Sequence, residues 1–137
     1  KKHITEISNK IRESFLVEQF NISVEGTGLF PNQLSPKVFW LDIGRGREDL
    51  EVLHNRIENI VMPYKEINKK EFYIPHITIG RLKSNVKPRK IDTTFFLNAL
   101  YSPCIIDVNS VQLYESKLDS FGANYTVLEK ITLDKER

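Results

Sequence analysis

The chain has 137 residues, 40% hydrophobic and 28% charged, with 20 lysines and arginines against 18 acidic residues. That length supports one core and is short for two comfortable domains. The single cysteine, Cys104, excludes an intrachain disulfide framework, and together with three scattered histidines it offers no recognisable metal-ligand spacing, while a reducing, cytoplasmic compartment fits. No apolar run approaches the roughly 18 residues of a membrane helix, which excludes a helical membrane span.

Taken in order, Ile4, Ile7, Ile11 and Phe15 recur at three- and four-residue spacing and predict an amphipathic helix over about residues 3–16. Phe20-Asn21-Ile22-Ser23-Val24-Glu25 alternates as a half-buried strand does, Gly26 and Gly28 are expected to break it, and the stretch from Pro31 to Pro36 reads as a surface loop. A second strand follows at Lys37–Ile43, where the near-continuous apolar run Val38-Phe39-Trp40-Leu41 predicts a central position with both faces covered. Trp40 reads as core, with a base-stacking platform as the alternative. Gly44-Arg45-Gly46-Arg47 lacks the length and the terminal Lys-Ser/Thr of a phosphate-binding loop and reads as a plain basic turn. Glu48 and Asp49 then favour a helix start, and Leu50, Leu53, Ile57, Ile60 and Val61 keep one apolar face as far as Pro63, with His54 on the solvated side. Lys65, Lys69 and Lys70 crowd the following linker, either as a solvated loop or as a basic rim for RNA.

The chemistry concentrates in Ile74-Pro75-His76-Ile77-Thr78-Ile79-Gly80-Arg81. Strand alternation puts His76 and Thr78 side by side on one face and sends Ile77 and Ile79 toward a core. An imidazole can take or give a proton near neutral pH, and a neighbouring hydroxyl can hold an oxygen of the group being attacked, a pairing suited to a phosphate ester. Arg81 breaks the parity, but Gly80 can host a bulge, and a guanidinium fork suits phosphate. A lone strand histidine is nevertheless more often structural, so the residues alone leave catalysis and packing both open.

Beyond Arg81, Lys83, Lys87, Arg89 and Lys90 form the most basic loop of the chain. Asp92 or Thr93 can cap a third helix carrying Phe95, Phe96, Ala99 and Leu100, stopped by Pro103. Cys104–Val108 is expected to continue into Val111–Ser116, and Tyr125–Leu133 to return after a turn around Gly122. Helices and strands alternate without the parallel βαβ rhythm, which predicts an α+β fold of mainly antiparallel sheet with helices packed outside.

The segment PHITIGR resembles the second signature of the 2H phosphoesterases, the family with two His-x-Thr motifs, and within it the chain is similar to the RNA 2′,3′-cyclic phosphodiesterases once described as 2′-5′ RNA ligases. Gly26–Pro31 with Pro36–Leu41, and Val111–Ser116, extend the resemblance over most of the chain. It implies two lobes of antiparallel sheet, each carrying one His-x-Thr strand. It also implies that His76 is the general base on the water attacking a 2′,3′-cyclic phosphate, that Thr78 and Arg81 hold phosphate oxygens, and that the first-motif histidine protonates the leaving 3′ oxygen, with no metal and no cofactor. The partner implied is RNA or a nucleotide with a 2′,3′-cyclic phosphate. His3-Ile4-Thr5 departs from the pattern, because it starts the helical Ile4/Ile7/Ile11 stripe and no apolar strand follows. The first motif is therefore expected to precede Lys1, and residues 1–137 read as a single, N-terminally incomplete domain of this family. The alternative is an RNA- or nucleotide-binding module retaining one catalytic half-site, or a domain whose basic loops bind RNA without a phosphate pocket.

Overall fold

The computed structural model describes residues 2–14, 16–66, 72–88 and 91–135. In chain order the elements are α1 (Lys2–Glu13), β1 (Phe20–Phe30), β2 (Val38–Ile43), α2 (Arg47–Val61), β3 (His76–Arg81), α3 (Thr94–Leu97), β4 (Cys104–Val108), β5 (Ser110–Asp119) and β6 (Gly122–Thr132), with a 3-10 turn at Met62–Tyr64 after α2. They form the α+β class of mainly antiparallel sheet expected from the sequence, in two compact units: residues 1–20, 51–72 and 107–137, and residues 21–50 and 73–106.

The first unit packs α1 and most of α2 with the β5–β6 hairpin. Its core is Ile11, Leu16, Leu53, Ile131 and Leu133, with Ile7, Ile57, Ile60 and Val111 around them. Each such aliphatic side chain contributes about 1.5–3 kcal/mol by leaving water. Helix α1 stops at Glu13, short of the expected residue 16. Its last turn closes with the Ser14 amide donating to Lys10 O at 3.1 Å. Released from helical direction, Leu16 turns into the core, and the Gln19 amide binds Asp134 O at 2.8 Å while its side chain donates to Leu133 O at 3.0 Å. Phe15, counted in the predicted stripe, lies outside the described residues. Ser8 is buried on the same helix and is satisfied by donating to Ile4 O at 2.8 Å, the local bond a short hydroxyl can make in a helix.

Glu58 on α2 is also buried, and Lys65 pairs with it. Lys65 is therefore neither a solvated loop residue nor a free basic rim. It is the counter-charge of a buried carboxylate, and stripping one partner from such a pair costs about 3–5 kcal/mol. Lys69 and Lys70 lie outside the described residues.

The second unit is a four-stranded sheet in the order β3-β2-β1-β4, so β2 takes the interior position predicted for it. Strand β1 departs from expectation: it runs through Gly26 and Gly28 to Phe30. Gly26, at φ +82°, sits where the register with β2 shifts between Val24 and Thr27, so the left-handed residue bends the strand at a bulge without ending it. The basic turn is a plain one. Its backbone is tied to Ser23, whose amide donates to Arg45 O at 3.1 Å and whose hydroxyl accepts the Arg45 amide at 2.8 Å, while Arg47 reaches back to Asp42.

Two further expectations fail in instructive ways. The run from Cys104 to Ser116 is not one strand. It divides at Asn109, because β4 bonds to β1 in the four-stranded sheet whereas β5 bonds to β6 in a separate two-stranded one, and Asn109 O is taken by the Leu133 amide at 2.9 Å. Helix α3 is a single turn: the Thr94 amide is capped by Asp92 Oδ1 at 2.9 Å, Phe96 packs edge-on against Phe39 at 5.1 Å, and Leu100, expected on an apolar face, is fully exposed. Phe96 is half-buried against Phe39 while Phe95 is exposed, and one partial anchor does not support a longer helix. The capping bonds from Thr94 hold the Asp92 carboxyl below its usual range.

Candidate active site on strand β3

Strand β3 begins immediately after Pro75, which is fully buried and cannot extend a helix into the motif. The strand lies at the sheet edge and pairs antiparallel with β2: Asp42 faces His76, Leu41 faces Ile77, Trp40 faces Thr78, Phe39 faces Gly80 and Val38 faces Arg81. Directly opposed residues of an antiparallel pair point to the same face. His76 and Thr78 thus share the face of Asp42 and Trp40. Between Thr78 and Gly80 the register slips, leaving Ile79 as the extra residue of a bulge. That slip restores the parity of Arg81, which stands opposite Val38 on the face of Trp40 and Asp42. His76, Thr78 and Arg81 are all exposed and so reach solvent from one side of the sheet.

Alternation predicts that the other face is core. Ile77 and Ile79 are instead 38% and 55% exposed. Phe96 of α3 covers Phe39 on that face, but β3 is an edge strand, and the cover leaves Ile77 and Ile79 partly exposed.

The orientation of His76 is defined by three contacts. Its Nδ1 lies 2.6 Å from Ile74 O. A carbonyl only accepts, so Nδ1 carries the proton and donates, and in the neutral ring the lone pair is on Nε2. The imidazole also stands edge-on to Phe30, with centroids 5.0 Å apart at 89°, and tilted against Trp40 at 5.7 Å and 62°. Phe30 and Trp40 stack on each other at 4.8 Å. The sequence reads Trp40 as core with base stacking as the alternative, and neither assignment includes contact with the histidine. A signal for that contact is present in the sequence: Gly28, opposite Trp40 across β1 and β2, leaves the space that the indole fills. The indole Nε1 is buried without a hydrogen-bond partner, a state that costs about 1–3 kcal/mol.

Asp42, opposite His76, is engaged by Arg47 and accepts the Ile43 amide at 2.8 Å. Nearby, Tyr101 donates to Gly26 O at 2.6 Å, and burial, with the negative charges of Asp42 and Glu25, pushes its hydroxyl above the ordinary tyrosine value.

The remaining histidines belong to the other unit. His3 sits in the first turn of α1, 3.7 Å from Glu6 and with its ring 5.6 Å from that of Tyr64, so His3-Ile4-Thr5 is helical as expected. His54 on α2 is half-buried and engaged, where the sequence predicts a solvated residue. Of the basic loop after the strand, Lys83 and Lys87 are exposed, and Arg89 and Lys90 lie outside the described residues.

Solved structures share this architecture. A crystal structure from Thermus thermophilus superposes with a TM-score of 0.62 at 25% identity, over 99% of this chain and 71% of that one. E. coli LigT, solved complexed with 3′-AMP, gives 0.64 at 18% identity over 98% and 69%. The fold is therefore that of the LigT-like phosphoesterases. Residues 1–120 match the model of the 2′-5′ RNA ligase superfamily, and the chain belongs to that family, the 2H phosphoesterases. Among curated relatives, proteins named RNA 2′,3′-cyclic phosphodiesterase match from Aquifex aeolicus at 32% identity, covering 83% of this chain and 61% of the relative, and from Methanothermobacter thermautotrophicus at 30%, covering 93% and 68%. A third, from Thermotoga maritima, is 31% identical over 80% of this chain and 56% of its own. The chain spans about three fifths of the length of the first of these relatives.

Proposed function

We propose that this protein hydrolyses RNA 2′,3′-cyclic phosphates to 2′-phosphate termini, with His76 as general base and Thr78 and Arg81 as the phosphate-holding pair. The observation that carries the reading is the bond from His76 Nδ1 to Ile74 O, which commits the lone pair to Nε2 on the face shared with Thr78 and Arg81. Nε2 takes the proton of the attacking water. The Thr78 hydroxyl and the Arg81 fork, three residues apart on an exposed edge, bind the non-bridging oxygens and favour the charge that builds on them. Attack at phosphorus then breaks the bond to the 3′ oxygen, which leaves with a proton from a second acid. The names of the curated relatives support the substrate class, and Lys83 and Lys87 beyond the strand fit a polyanionic RNA in the cytoplasm.

The test is the hydrolysis of an RNA oligonucleotide ending in a 2′,3′-cyclic phosphate, with the 2′-phosphate product identified by chromatography. Loss of turnover in His76→Ala at unchanged melting temperature supports the reading, and full activity in that variant ends it.

A further inference from the structure

The histidine stands on an aromatic support that the proposed chemistry does not itself require. Phe30 and Trp40 stack at 4.8 Å and contact the imidazole at 5.0 and 5.7 Å, within the range of favourable edge-on aromatic contacts. Gly28 makes this arrangement sterically available. A Cβ built on it would lie 2.2 Å from Cζ2 and 2.3 Å from Cη2 of the indole, so the benzo ring of Trp40 rests directly on the glycine backbone. The indole also keeps a buried, unpartnered Nε1, although an all-carbon ring could stack on Phe30 without that cost.

We propose that Phe30 and Trp40, seated by Gly28, are positioning residues that hold His76 in its Nδ1–H tautomer with Nε2 presented to the substrate. The inference rests on the reading of His76 as the base. Its physical reason is that the ring torsion of a histidine is broad and roughly two-fold. Turned over, the imidazole would put a carbon against Ile74 O, release the proton from Nδ1 and point the wrong atom at the phosphate. The Ile74 carbonyl alone selects the tautomer by one bond on an exposed edge. The two aromatic rings block the flip, Phe30 through its perpendicular contact and Trp40 from the neighbouring strand, where it also faces Thr78. Proton transfer depends on such alignment more than on affinity, so the support acts on turnover and leaves substrate binding nearly unchanged.

The experiment is nitrogen-15 spectroscopy of the histidine rings in the whole protein, with His76→Ala assigning the His76 signals, alongside steady-state kinetics on the cyclic-phosphate oligonucleotide. The parent should show a protonated Nδ1 and an unprotonated Nε2 in the neutral ring. In Trp40→Leu and Gly28→Ala the two nitrogens should move toward the averaged values of exchanging tautomers, and kcat should fall about tenfold, about 1.4 kcal/mol of barrier, with KM within about twofold. Trp40→Phe keeps a ring in the same place and should restore the parent tautomer. Where Trp40→Leu or Gly28→Ala does not fold, Phe30→Leu, at a half-buried strand end, carries the same expectation. Parent-like nitrogen signals in any folded disrupting variant would overturn the proposal, as would loss of the tautomer in Trp40→Phe and Trp40→Leu alike. Should His76→Ala retain activity, the base assignment falls, while the nitrogen spectra still decide whether the aromatic rings position the imidazole.

Discussion

The same tripeptide, His-Ile-Thr, occurs at residues 3–5 and again at residues 76–78, and it is helix in one place and strand in the other. The difference shows how little a short motif says without its flanks. After Thr5 the apolar residues continue as Ile7 and Ile11, a helical stripe, and about 100° of rotation per residue carries His3 and Thr5 to nearly opposite sides of α1. Around His76 the flanks are Pro75, which opposes a helix, and Ile77 and Ile79 in strict alternation, so residues two apart meet on one face. Only the strand form puts an imidazole and a hydroxyl side by side on one face.

Substitutions can break or sharpen that contrast. The largest effect is expected from His76→Ala, which should lower turnover of the cyclic phosphate by about 10²- to 10⁴-fold, the usual worth of a positioned general base. Its melting temperature should match the parent's, since the side chain is exposed. Ile11→Ala tests the other context. It removes the buried member of the α1 stripe and should destabilise the first unit by about 2–5 kcal/mol in denaturant titration, whereas Ile79→Ala, on the half-exposed face of β3, should stay within about 0.5 kcal/mol. A cost above about 1.5 kcal/mol for Ile79→Ala would mean that this face is covered in solution.

Arg81→Lys keeps the charge but loses the planar fork. It should reduce kcat/KM by about 10- to 100-fold through phosphate binding, and an unchanged value would remove Arg81 from the site. The smallest effect belongs to His3→Ala. Because His3 lies on a helix beside Glu6 and Tyr64, activity should change by less than about threefold, under about 0.7 kcal/mol of barrier. Loss of activity as complete as in His76→Ala would make the helical tripeptide a working motif and erase the contrast.

Much of the molecule is legible in the sequence where pattern and local chemistry agree. The apolar spacing of α1 and α2, the interior position of β2 and the strand at His76 follow from periodicity, and Gly80 marks a place where the chain can re-aim Arg81. The misreadings share a cause. Gly26 and Gly28 look like strand breakers, and neither ends the strand, because Gly26 sits in a bulge after which pairing with β2 resumes at Thr27 and continues through Gly28. Cys104–Ser116 looks like one strand, and a change of hydrogen-bonding partner at Asn109 makes it two. Ile77 and Ile79 look buried, and an edge position leaves them partly exposed.

By itself the sequence determined that α1 and α2 are helical and that the segments around Ile22, Trp40 and His76 are strands, because these depend on near-neighbour spacing and side-chain type. Tertiary structure alone decided which strand pairs with which, the register slip that carries Arg81 to the face of His76, and the placing of Trp40 on Gly28 beside the imidazole. The contacts among β1, β2 and β3 join residues between 8 and 46 positions apart, and nothing local encodes them until the three strands hydrogen-bond side by side.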